Sequence, residues 1–154
     1  MLPVDPRPLW KIRQRDLAPY GPAFDAGASG TMIGHVKYSR VDPDFPASLS
    51  TRISTGILRD ELGFEGLAVT DALGMGALAA WPIGQRAVNA VVAGADMVLL
   101  SLVPDSIPTV VAALRKAFDR GIITKERVEG AVDHLDAALA RAAQLRDDAQ
   151  PCSA

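Results

Sequence analysis

Gly63 to Asp71, GFEGLAVTD, is the stretch on which the fold turns. Its middle, Gly66 to Thr70, is a short apolar run with β-branched content, bounded by glycine and closed abruptly by an acid. Such a run marks a strand of a parallel sheet, where both faces are covered and polar residues do not alternate with apolar ones. Just upstream, the spacing predicts a helix from about Thr51 to Leu62, with Ser50 as its N-cap, Ile53, Ile57 and Leu58 on one side, and Gly63 as its stop. Downstream, after the glycine-containing segment LGMGAL, a helix from about Gly84 to Ala93 presents Ala87, Val88 and Val91, and Gly94 closes it. A further strand, Asp96 to Leu100, follows directly. This alternation of apolar runs and amphipathic helices is the signature of βα units around a parallel sheet.

Further outward, a leading helix is expected from about Arg7 to Ala26, stopped by Gly27, and a first strand from about Thr31 to Val36, followed by a Pro-rich loop over Tyr38 to Leu49. Toward the C-terminus, a helix starting near Ser106 carries Pro108 in its first turn and places Ile107, Val110, Val111, Leu114 and Phe118 in a core-facing stripe. The last helix begins after Thr124 as N-cap, with Val128, Val132, Leu135 and Leu139 on one face. Residues 1–146 read as one domain and 147–154 as a disordered tail. Three parallel strands fit either an open doubly wound sheet or an arc of a (βα)8 barrel, and periodicity does not choose between them.

Composition excludes several classes of function. The chain of 154 residues is 49% hydrophobic and 22% charged, which fits one globular domain and not a disordered chain. Its net charge is -2 and it has no long basic block, so the footprint of a nucleic-acid binder is absent. The single cysteine, Cys152, closes no internal disulfide. The N-terminus, MLPVDPRPLW, lacks the apolar stretch of a signal peptide, and nowhere do about 18 apolar residues run together to span a bilayer. The default expectation is a cytoplasmic protein, with export open if the true start lies upstream of Met1.

Few residues are placed for chemistry. Asp71 closes the strongest strand, at the edge where parallel sheets and barrels carry their reactive groups. A carboxylate there suits a glycosidase nucleophile; it suits equally an N-cap for the segment that follows. His35 lies at the end of the first strand, on the same edge. It fits a pocket-lining hydrogen-bond donor better than a proton shuttle, and a histidine packed in the rim and satisfied by backbone groups is the other reading. His134, in the middle of the last helix, is expected at the surface or its boundary. Asp42 and Asp44 are explained by Asp-Pro turn chemistry, with no nearby His or Cys to complete a metal shell. Asp96 opens its strand, the end that serves stability. Gly74 and Gly76 form no GxGxxG, and no Walker A or GxSxG pattern occurs.

Four stretches together resemble one known family: GTMIGHVKY (Gly30–Tyr38), VDPDFPASLS (Val41–Ser50), ILRDELGFEGLAVTDALGMGAL (Ile57–Leu78) and AVNAVVAGADMVLL (Ala87–Leu100). Over about Leu2 to Leu145 the chain is similar to the C-terminal part of the catalytic barrel of family 3 glycoside hydrolases, in the β-N-acetylhexosaminidase branch. The resemblance implies an α/β fold, namely a partial (βα)8 TIM barrel made of about the last three βα units, with parallel strands near 31–36, 66–70 and 96–100. It implies Asp71 as the nucleophile of a retaining mechanism, His35 bordering the sugar subsite and Met75 facing the pocket, with no metal or organic cofactor. Ala72-Leu73 stand where the family's glucosidases usually carry an aromatic residue, which points to terminal β-linked N-acetylglucosamine, in the manner of enzymes acting on cell-wall fragments; another family 3 specificity is the alternative.

The departures are as informative. The branch's earlier KH motif, which holds the N-acetyl sugar, and its loop with the Asp-x-His pair, which supplies the acid/base, do not occur here. The resemblance therefore implies that Met1 starts inside the fold. Retention needs two groups flanking the scissile bond, and losing one typically costs orders of magnitude in rate, so the isolated chain is expected to be inactive. Unpaired sheet edges would favour self-association or a complementing N-terminal half. A non-catalytic, sugar-binding or self-associating fragment is the rival expectation.

Overall fold

The structure, a computed structural model, describes residues 1–101 and 103–148. Strands β1 (Val4–Asp5) and β3 (Lys37–Tyr38) form a small parallel pair, and β2 (Gly30–Ile33), β4 (Leu67–Ala72) and β5 (Met97–Leu99) form a three-stranded parallel sheet in the order β2-β4-β5. The helices are α1 (Leu9–Arg15), α2 (Tyr20–Asp25), a π-helix (Arg52–Glu61), α3 (Ile83–Ala93), α4 (Ile107–Asp119) and α5 (Lys125–Asp148). The mixed α/β class with parallel strands is thus the one expected.

Burial alternates along β4: Ala68, Thr70 and Ala72 are buried, whereas Leu67, Val69 and Asp71 are only partly covered. The buried face packs on the helices, in a core of Leu58, Phe64, Leu73, Leu78, Ala87, Ala90 and Val110 among others. The other face is open. Because Met32 and Met97 both register with Val69, a row of apolar side chains crosses all three strands there, with Met32 55% and Met97 40% exposed. Asp71 projects from β4 on the side of this row, two residues beyond Val69.

Several boundaries differ from those the sequence suggests. The leading helix is two helices, because Pro19 lacks an N–H and its ring would collide with the Arg15 carbonyl, four residues back, in a continuous helix. The first strand ends at Ile33, not Val36; Lys37 and Tyr38 turn to pair with β1, with Lys37 N donating to the Pro3 carbonyl and Ser39 N to that of Asp5. Ser50 is no side-chain cap: its hydroxyl donates to Asp42 Oδ2 at 2.6 Å, and its carbonyl accepts from Ile53 and Ser54. The helix it precedes is of the π type and closes with Leu62 N on the Ile57 carbonyl. The central strand runs on to Ala72, so Asp71 lies within β4 rather than behind it.

On α4, Val110 and Ala117 are buried but Ile107, Val111 and Phe118 stand about half exposed. The buried line is shifted because α3 and α4 approach through small residues; a Cβ on Gly84 would stand 2.8 Å from that of Ala113. Helix α5 is capped as expected, Arg127 N donating to Thr124 Oγ1, but it continues to Asp148, two residues into the expected tail; residues 149–154 lie outside the described residues. Of its expected apolar stripe, Leu135 is partly buried whereas Val128, Val132 and Leu139 stand exposed, because Asp96 draws Arg127 and His134 of the neighbouring face inward.

Candidate active site

The pairing of β4 with β5 carries an irregularity at the candidate nucleophile. Val69 registers with Met97 and Ala72 with Leu99, so two residues of β4, Thr70 and Asp71, oppose the single Val98. This is a β-bulge, which bends a strand and re-aims a side chain, and such bulges concentrate beside active sites. The buried Thr70 fills the interrupted ladder with its own hydroxyl, Oγ1 accepting from Leu99 N at 3.2 Å, and the ladder resumes with Leu73 N donating to the Leu99 carbonyl.

Asp71 caps no helix. Its Oδ1 accepts from Ala72 N at 2.7 Å, within the strand, and the next helical turn, Gly76–Leu78, has Met75 at its N-cap position without a side-chain cap. The capping alternative is therefore excluded, and the carboxylate stands half-buried at the open face.

His35 stands two residues beyond the end of β2 and is 4% exposed. Both ring nitrogens are engaged: Nε2 lies 3.0 Å from the Ala72 carbonyl and Nδ1 2.7 Å from Ser48 Oγ. A carbonyl only accepts, so Nε2 carries the hydrogen and the ring is locked in one orientation. The Ala72 carbonyl receives a second donor, Met75 N at 3.0 Å, which fixes the turn that carries Met75 to the surface. Met75 is 36% exposed. On the far side of that turn, Arg86 Nη1 donates to the Leu73 carbonyl and its Nε to that of Trp81; burial pulls this guanidinium below its usual value. The structure thus joins Asp71, His35 and Met75 through one residue, Ala72. Ser48 and Thr70 complete the arrangement; in the sequence each shows as no more than a hydroxyl in an otherwise apolar or small-residue setting.

Next to these residues, an apolar cavity of about 120 Å³ lies between α1, β2 and the π-helix, lined by Leu9, Ile12, Thr31, Met32, Gly34 and Ile57 among others. Asp71 does not line it. The acidic loop is built as a turn: Asp42 Oδ1 accepts from Asp44 N and Phe45 N, and Oδ2 from Ser50. Burial pushes the Asp42 carboxyl up, but its three donors outweigh that and hold it below the ordinary carboxylate range.

At the opposite end of the sheet, the fully buried Asp96 side chain is held by Arg59 at 2.6 Å, Arg127 at 2.8 Å and His134 at 3.1 Å, and it accepts from Ala68 N at 2.8 Å. This end carries charge for structure, as strand position suggested, and His134 sits at the boundary. Among the described residues no helix is long and apolar enough to cross a membrane.

The family model described as "Glycosyl hydrolase family 3 N terminal domain" matches residues 1–138. A beta-hexosaminidase of Chromobacterium violaceum is 43% identical over 115 residues, which cover 74% of this chain and 32% of that protein. Among solved structures, the family 3 β-N-acetylglucosaminidase of Paenibacillus sp. str. FPU-7 superposes with a TM-score of 0.88 at 35% identity, covering 99% of this chain and 29% of that one. The β-N-acetylglucosaminidase of Thermotoga maritima superposes with a TM-score of 0.83 at 31% identity, covering 90% and 31%. The chain spans about a third of the length of the relatives it matches.

Proposed function

The chain belongs to glycosyl hydrolase family 3, and from that premise we propose that it is the nucleophile-bearing portion of a retaining β-N-acetylhexosaminidase. The observation that carries this reading is the β-bulge, which sets the Asp71 carboxylate at the end of β4, on the open face of a parallel sheet. In the proposed cycle, an Asp71 oxygen attacks the anomeric carbon. The glycosidic C–O bond breaks, its electron pair goes to the leaving oxygen, and an acid protonates that oxygen. Water, relieved of a proton by the same group acting as base, then attacks the anomeric carbon and frees Asp71. The substrate class is a terminal β-linked N-acetylglucosaminide, in keeping with the names of the relatives and with Ala72-Leu73 after the nucleophile; cell-wall fragments are the source we favour. His35 and Met75 border the subsite in this reading.

The three-stranded sheet is read as an arc of a (βα)8 barrel whose interior layer includes Met32, Val69 and Met97. In this reading the remaining strands and the acid/base lie outside residues 1–154, and those residues by themselves are inactive. A second reading rests on the same exposed row and on the outer edges of β2 and β5, which pair with no further strand among the described residues: a non-catalytic fragment that associates with its own copies. A monodisperse monomer by light scattering would remove it.

The direct test of Asp71 uses a dinitrophenyl N-acetyl-β-glucosaminide. Dinitrophenolate departs without a proton donor, and without a base the glycosyl ester persists, so peptide mass spectrometry is expected to find the sugar on Asp71 and nowhere in Asp71→Asn. Absence of that label would refute the nucleophile. Turnover of an ordinary aryl glycoside that Asp71→Asn abolishes would refute the inactivity of the chain alone.

A further inference from the structure

We infer that His35 and Ser48 form a positioning device for Asp71, acting through the Ala72 carbonyl; the catalytic part of this inference rests on the nucleophile reading above. The bulge creates the need. With two residues of β4 opposite one of β5, the ladder on that side cannot by itself hold the Thr70-Asp71 step, and a bulged residue is free to bend unless something else pins it. Two side chains do so from opposite directions. Toward β5, Thr70 Oγ1 accepts from Leu99 N. Toward β2, where pairing stops at Ile33, His35 Nε2–H reaches the carbonyl of Ala72, the residue whose own N–H binds the Asp71 carboxylate. A shift of Ala72 therefore moves the backbone and a side-chain anchor of Asp71 together.

Ser48 makes the device rigid. It is fully buried, its hydroxyl faces His35 Nδ1 at 2.7 Å, and it sits on the short helical turn Ala47–Leu49, itself tied to the first strand region by Ala47 N donating to the Val36 carbonyl. Donation from Ser48 to Nδ1 fixes the tautomer that places a hydrogen on Nε2, the one atom the Ala72 carbonyl requires. With both nitrogens engaged and the ring buried, His35 is built for geometry rather than for proton exchange with solvent.

Three substitutions in the full chain separate this role from substrate contact and from general loss of structure. Gln at position 35 carries its amide nitrogen near the place of Nε2 and keeps the Ala72 bond; Asn carries it near Nδ1 and loses that bond. Ser48→Ala removes a residue too deeply buried to touch a sugar. The rate of Asp71 labelling by the dinitrophenyl glycoside is expected to fall roughly 10- to 100-fold in His35→Asn and in Ser48→Ala, with His35→Gln retaining the larger share. Equal losses in His35→Asn and His35→Gln, or an unaffected Ser48→Ala, would overturn the inference.

A second measurement does not depend on the nucleophile reading. Three-bond couplings of the Asp71 side chain are expected to report one χ1 rotamer in the unsubstituted chain and in His35→Gln, and averaging in His35→Asn. Averaging in the unsubstituted chain would refute the device whatever the labelling shows. Absence of label with a single rotamer would instead refute the nucleophile and leave the positioning intact.

Discussion

Replacing Asp96 by Ala tests what holds the sheet together beneath the bulge. The carboxylate is fully buried and meets two guanidiniums, Arg59 and Arg127, whose side chains are only 15% and 21% exposed. It also accepts from Ala68 N of β4, so it ties β4, β5, the π-helix and α5 at one point. Truncation leaves two largely buried cations without this counter-charge and the Ala68 N–H without its acceptor. Removing one partner of a buried ion pair typically costs about 3–5 kcal/mol, several times the roughly 0–1 kcal/mol typical of surface pairs. For a chain of this size that corresponds to a midpoint lowered by roughly 6–20 °C. Urea denaturation at neutral pH, followed by circular dichroism, measures it directly. A change below about 1 kcal/mol would show that the cluster is not the structural tie described here. A double-mutant cycle with Arg59→Met should recover part of the loss, since it removes one of the stranded charges.

Other predictions follow the same reasoning. Leu73→Ala or Leu78→Ala, both at fully buried positions, should each cost about 2–5 kcal/mol by the same denaturation assay; a loss under about 1 kcal/mol would contradict the packing. Gly94→Ala should cost more than about 1 kcal/mol, because φ is +117° and the new Cβ would stand 2.8 Å from Thr55 Oγ1, whereas Gly121→Ala, at φ +69° with open space around it, should cost less. The Asp42 carboxyl lies below its ordinary value of 3.8, so its contribution to stability is complete above that value and is lost as pH falls through the lower folded value. The thermal midpoint should be flat from about pH 7 to 5, fall below about pH 4, and lose part of that acid slope in Asp42→Asn; a midpoint that rises on acidification would contradict the assignment.

What could be read from the sequence followed the strength of local signals. The apolar run before Asp71, the Thr124 cap and the stop at Gly94 each express a single dominant preference, and the structure places each within a residue or two. The failures arise where tertiary partners compete. Ser50 is an ideal cap by type, but Asp42 claims its hydroxyl. The stripe on α5 is apolar by spacing, yet the helix rotates so that Arg127 and His134 reach Asp96, because a buried carboxylate without cations costs more than exposed valines. Two-residue strands such as β1 carry no periodicity to detect. The bulge is the most consequential feature hidden from sequence, since register is a relation between β4 and β5 and neither strand encodes it alone.

That relation also links the two unresolved demands of the fold. The row of Met32, Val69 and Met97 needs a cover, because parallel sheets are stable when both faces are buried. Asp71 projects on the same side, two residues further along β4, and in the proposed mechanism needs a proton donor facing it across a sugar. Strand geometry places positions i and i+2 about 6–7 Å apart, a little more than the roughly 5–5.5 Å between the paired groups of a retaining site. Any polypeptide that buries the methionine row therefore ends within reach of the space above Asp71. On this reading the event that completes the core also completes the site, so stability and glycosidase activity should appear together, at the same stoichiometry, when a complementing polypeptide is added.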